Sequence, residues 1–166
     1  MGEERFEVTV EVQDGAVTVV VRDGDVATTA TVRSSAEAEP QPHIPIGTRD
    51  AARLAMQVDG SPVELAPGPG RYTRWSYHVI AILDGATYVL LPCDGQSSRL
   101  TRDSRWLGDL TRTESTLVTA QWEPDAEVHS VDAALGYALA AAFGTGSRTL
   151  LGMLLESLVG IAERAT

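Results

Sequence analysis

The chain has 166 residues, 43% of them apolar and 22% charged, and its formal net charge is −10. These proportions suit one globular domain spanning residues 1–166, and they exclude collagen-like, coiled-coil and disulfide-dense classes. The charge argues against a protein that coats nucleic acid, because a phosphate backbone is bound through a positive surface that releases counterions.

Residues 6–12 alternate: Phe6, Val8, Val10 and Val12 point one way, Glu7, Thr9 and Glu11 the other. That period predicts a half-buried strand. Asp14-Gly15 is a two-residue hairpin signal, residues 16–22 return, and Asp23-Gly24 turns the chain into a third strand over 25–33. Residues 34–47, with Pro40, Pro42 and Pro45, read as a loop. Thr48 is placed to cap a helix over 49–58, with Gly60 just past its end, and the Pro/Gly-rich residues 61–70 read as a second loop. Strands follow over 75–83 and 86–91 around Asp84-Gly85, then over 97–102, 106–112 and 115–122.

The last third is helical in pattern. Ser130 is a candidate cap for a helix over 131–143, whose Ala133–Phe143 stretch has no polar face and must be buried on every side. A second helix over 148–164 places Leu151, Leu154, Leu155, Leu158, Ile161 and Ala162 on one face. Neither spans a bilayer, since the 144–148 break interrupts the apolar run. The expected fold is therefore α+β: an antiparallel, barrel-like sheet of seven or eight strands with two apolar C-terminal helices packed in or against it.

The run Tyr88–Leu91, then Leu100-Thr101-Arg102-Asp103, then Trp106–Arg112, followed by a strand and an apolar helix, resembles the closing part of tubby-like barrels, the superfamily of the scramblase and LURP-one-related proteins. The resemblance covers residues 80–143 and rests on layout. It implies strands wrapped around a hydrophobic helix near the C-terminus, and an association with phosphoinositides or membranes. It carries no binding residue over to this chain.

Composition also bears on compartment. All 13 basic residues are arginine, and Lys and Asn are absent. Both missing residues use AT-rich codons, which points to a high-GC bacterial genome. Cys93 is the only cysteine, so an intramolecular disulfide is impossible, and the acidic start Met1–Phe6 is not a signal peptide. A cytoplasmic location is expected.

Motifs for chemistry are few. His43, His78 and His129 show no metal-ligand spacing. The nucleophile elbow, the lysine-bearing phosphate loop and the dinucleotide fingerprint are all missing from the sequence. No catalytic residue, metal or cofactor is therefore assigned. Two clusters remain. In the first, Arg71, Arg74, Trp75, Tyr77 and His78 interleave aromatic area with positive charge, as a site for an apolar, anionic ligand would. The competing reading is a strand with Trp75 and Tyr77 facing the core. The second is Arg99, Arg102 and Arg105, continuing to Arg112 around Trp106, which suits a carboxylate, a phosphate or an acidic partner. The expected function is a non-enzymatic binding module for a partner protein or a small molecule. Two alternatives stand: a barrel enzyme using His78 or His129 as general base, and an assembly subunit that homo-oligomerises through its C-terminal helices.

Overall fold

The structure, a computed structural model, describes residues 5–35, 44–71, 73–113 and 117–146. Ten strands follow one another: β1 (Glu7–Gln13), β2 (Ala16–Asp23), β3 (Val26–Ser34), β4 (Leu54–Val58), β5 (Ser61–Pro67), β6 (Val79–Leu83), β7 (Ala86–Pro92), β8 (Ser97–Arg102), β9 (Arg105–Arg112) and β10 (Val118–Trp122). They form one antiparallel sheet in strict chain order. One helix, α1 (Ser130–Phe143), closes the described chain.

Two of these strands lie where a helix and a loop are expected. Residues 51–53 make a single 3-10 turn, and 54–58 and 61–67 are β4 and β5. The reason is the hairpin at Asp59-Gly60, where both residues have positive φ (47° and 83°). A two-residue turn with that geometry matches the twist of paired strands. Gly60 is thus a hairpin residue and not a helix cap. The sheet thus has ten strands where seven or eight are expected. The second helix, 148–164, lies outside the described residues.

The sheet curls around α1, which packs against β2 and β3 and also against β9 and β10. Inward positions of β2 (Val17, Val19, Val21) and of β8 and β9 (Leu100, Leu110) are fully buried, and the helix is buried from Asp132 to Phe143. The expectation of a helix buried all round therefore holds. Burial of Leu135 and Leu139 alone contributes about 1.5–3 kcal/mol each. Small residues let the helix approach the wall. A Cβ on Gly136 would stand 2.7 Å from Leu100 Cδ2, so the strand side chain fills the space a larger residue would need.

The ladder order is open, with β1 and β10 at its edges. Aromatic rings bring these edges together. Trp122 of β10 meets Phe6, just ahead of β1, edge-to-face at 6.3 Å, and meets Tyr137 of α1 at the same centroid distance. Among the described residues, no helix is long and apolar enough to cross a membrane.

Candidate functional site

The aromatic–arginine cluster lies on the connection from β5 to β6, at the C-terminal end of α1. It is not a strand. Residues Trp75–Tyr77 form a 3-10 turn, and the strand begins only at Val79. A 3-10 turn rotates about 120° per residue, so the alternation that would send both Trp75 and Tyr77 inward does not apply. Trp75 is 59% exposed, and Tyr77 is half-buried.

Hydrogen bonds fix this connection tightly. Gly68 N–H donates to His78 O and Gly70 N–H to Ser76 O, both at 2.8 Å. The buried Ser76 hydroxyl accepts from Arg71 N–H (2.8 Å) and donates to Thr73 O (2.6 Å). A Cβ on Gly68 would lie 2.3 Å from Ser76 O, so no other residue fits. The His78 ring stacks on Trp75 at 4.5 Å with 24° between planes, and its Nδ1 lies 2.6 Å from Trp75 O. That carbonyl can only accept, so Nδ1 carries a proton.

Arg49 braces the loop from beneath. Its guanidinium donates to Gly68 O (3.2 Å), Tyr77 O (3.4 Å) and His78 O (3.5 Å) and lies over the rings of Tyr77 and Phe143. Burial lowers the Arg49 pKa from its ordinary value, and the same burial raises that of the Tyr77 phenol. Ile46 N–H donates to Ala142 O at 2.8 Å, which seats this segment on the helix end. Sequence reasoning missed Arg49. It stands alone between Thr48 and Asp50, with no aromatic neighbour in the chain to mark it.

The second cluster does not converge. Arg99 faces outward, lies 3.7 Å over the Trp106 ring, and pairs with Asp109 at 3.2 Å. Asp109 also accepts from Trp106 Nε1–H at 3.0 Å. Arg102, three residues on, faces the opposite side of β8 and belongs to the other end of α1. There it pairs with Asp132, which is 2% exposed, at 2.5 Å. Asp132 also accepts from Tyr88 Oη–H (2.6 Å) and His129 N–H (2.8 Å). Burial, then the Asp132 hydrogen bond, raise the Tyr88 pKa far above its ordinary value. Arg105 is exposed beside the β8–β9 turn. Arg74, in contrast, comes within electrostatic reach of Asp94 on the β7–β8 turn. The Gln96 and Ser97 amides hold that carboxyl below its usual range, with Arg74 adding to the effect.

The structure thus brings Arg71, Arg74, Trp75, Tyr77 and His78 together and scatters Arg99, Arg102 and Arg105. His129 precedes the first residue of α1, whereas the His78 loop sits at its last turn. A 14-residue helix is about 20 Å long, so the two histidines do not share a site. His43 lies outside the described residues. Cys93 is half-buried, its thiol pKa raised first by burial and then by Asp109 and Asp94. Among the described residues, no group of His, Cys, Asp or Glu is arranged to hold a metal ion.

What the fold and the loop define is a sheet wrapped around a helix that displays a braced aromatic plate at one rim. No protein-family model, curated protein or solved structure matches the chain.

Proposed function

We propose that the protein is a non-enzymatic recognition module that takes a partner protein on the rim loop 68–78, with Trp75 stacked on His78 as the anchor. The observation that carries this reading is a large ring, 59% exposed, on a loop whose backbone is over-determined by hydrogen bonds. A loop ordered before binding loses little entropy in the complex, and tryptophan is the residue most enriched at binding hot spots. Arg71 and Arg74, both exposed, flank the plate, so the partner surface is an apolar recess edged with carboxylates. The interior supports a protein partner over an enclosed small ligand, because side chains of α1 occupy it.

The test compares the proteins captured from the source cells by the immobilised wild-type chain and by Trp75→Ala, quantified by mass spectrometry. Truncating an anchor costs about 2 kcal/mol or more, roughly a 30-fold loss in affinity. A captured protein that falls away with Trp75→Ala supports the reading. Identical sets from the two chains would sink it.

A further inference from the structure

The sheet begins with a strand that has a neighbour on one side. β1 pairs with β2 in unbroken register from Glu7↔Arg22 to Gln13↔Ala16. Among the described residues, no strand lies on its other side. In an antiparallel ladder, alternate residues turn their N–H and C=O toward the partner. A two-residue turn makes its flanking residues a hydrogen-bonded pair, and Gln13 and Ala16 flank Asp14-Gly15. Glu7, Thr9, Glu11 and Gln13 therefore bond β2, and the N–H and C=O of Val8, Val10 and Val12 point away from it. The same three valines are incompletely packed. They stand opposite Val21, Val19 and Val17, each 0% exposed, yet are themselves half-buried. Natural edge strands are commonly blunted by a proline, a bulge or a lysine, and β1 has none of these. The other edge, β10, has five residues, and its Trp122 is already engaged by Phe6 and Tyr137.

The chemistry of β1 specifies what pairs with it. Its free backbone groups call for an extended chain, and its half-buried valines call for apolar side chains on the inner face of that chain. The outer face of β1 carries Glu7, Thr9, Glu11 and Gln13, all exposed. Arg22 stands opposite Glu7, but Glu11 has Thr18 opposite and no cation. We propose that β1 takes an extended segment of a partner protein as an added antiparallel strand. The segment alternates apolar residues, which pack beside Val8, Val10 and Val12, with basic residues, which face Glu7 and Glu11. In such strand addition the backbone bonds supply affinity and the alternating side chains supply specificity. Two copies of β1 side by side would gather four glutamates, two from each, on one face of the new ladder. A basic segment instead approaches a protein of net charge −10. β1 lies four strands from β5, which leads into the loop 68–78, so the proposal does not depend on the role of Trp75.

The probe is a fluorescein-labelled, amidated peptide of alternating arginine and valine, matched to β1 at seven residues. It is titrated against the full chain by fluorescence anisotropy at physiological salt. The same peptide N-methylated at its valines keeps its charge but loses the N–H groups that face β1, and it should bind about tenfold more weakly or worse. Val10→Pro should weaken the unmodified peptide to a similar extent. The N–H it removes points away from β2, where an edge strand tolerates proline, and an unchanged urea midpoint checks the fold. Glu11→Gln should weaken binding about two- to threefold, and Trp75→Ala should leave it unchanged. Amide exchange followed by nuclear magnetic resonance reads the edge directly. In the free chain the amides of Val8, Val10 and Val12 should exchange faster than those of Thr9 and Glu11, and the peptide should slow those three. Absence of binding, equal binding of the N-methylated peptide, or loss of binding in Trp75→Ala would each overturn the proposal. So would valine amides already protected in the free chain, or protected as protein concentration rises, which would mean that the edge is paired by the chain itself or by a second copy.

Discussion

The two ends of α1 are held by different physics. At the N-terminal end one buried carboxylate, Asp132, satisfies an arginine, a phenol and a backbone amide. At the C-terminal end no single group gathers the others: Ile46 bonds Ala142 O, Gly144 bonds Ala140 O, Thr145 bonds the β7–β8 turn, and the Arg49 guanidinium lies over Phe143. The helix dipole favours an anion at the first end and cations at the second, and the chain places Asp132 and Arg49 accordingly. The N-terminal end is thus a lock in which losing one group strands several partners. The C-terminal end distributes its holding over several separate bonds, and it is this end that carries the exposed aromatic loop. Concentrated holding suits an element that must stay put, and distributed holding suits a rim that meets a partner.

The largest test of that contrast is Asp132→Ala. It leaves Tyr88 Oη and Arg102 without their shared acceptor, and removing one member of a buried pair costs about 3 kcal/mol. Urea unfolding should show that loss. A cost below about 1 kcal/mol would dissolve the distinction between the two ends.

Tyr88 sharpens the same point through pH. The folded protein holds the phenol neutral, while the unfolded chain ionises it near its ordinary value of 10.0. Above that pH the unfolded state sheds a proton that the folded state keeps. Stability present below pH 10 is therefore lost as pH rises past it. Tyr88→Phe should flatten that alkaline decline at a cost of about 1–2 kcal/mol at neutral pH. Urea midpoints across the alkaline range give the slope, and an equally steep decline in Tyr88→Phe would remove the assignment.

Smaller effects belong to the other end. Arg49→Ala should lower global stability by about 1 kcal/mol and speed amide hydrogen exchange in residues 68–78 selectively. Arg49→Lys should not restore protection, since an ammonium lacks the planar fork that reaches three carbonyls. Equal exchange in all three chains would mean that the loop orders itself. Thr145→Val, which removes one side-chain link to Gln96 and Arg112, should cost about 1 kcal/mol or less by the same unfolding measurement.

Much of this architecture is legible from residue pattern. Period-two alternation marks β1, and Asp-Gly pairs make the turns of three hairpins, at 14–15, 59–60 and 84–85, whereas Asp23 stays paired in β2 and Gly24-Asp25 makes the turn to β3. The apolar run 133–143 announces a helix with no wet side. The structure departs from the pattern at 49–58, where local propensity favours helix, and at 61–67, where Pro/Gly content favours a loop. Ala51-Ala52-Arg53-Leu54-Ala55-Met56 favours helix in isolation, but pairing with β3 and β5 overrides it. Asp59-Gly60 carried the same signal as its sister turns. The site was half legible. The cluster at 71–78 is visible as composition, yet whether Trp75 faces in or out depends on a 3-10 turn that composition does not encode. In the sequence Asp132 is a lone acid at the start of an apolar helix. Its weight comes from Tyr88 and Arg102, which are remote in sequence and meet it only in the fold.

Strict chain order in the sheet has a consequence for how the protein is made. Every ladder joins neighbours in sequence, so each hairpin can close as soon as it leaves the ribosome. The element that fills the interior is synthesised after all of them. Val17, Val19, Val21 and Val32 emerge early, and Phe143 follows Val32 roughly 110 residues later. At about 5–20 residues per second that is roughly 5–20 s during which the curled sheet has an apolar lining and no plug. A nascent chain paused ahead of residue 130 is an open trough for any apolar helix nearby, so the period of greatest danger to this protein falls before α1 is translated.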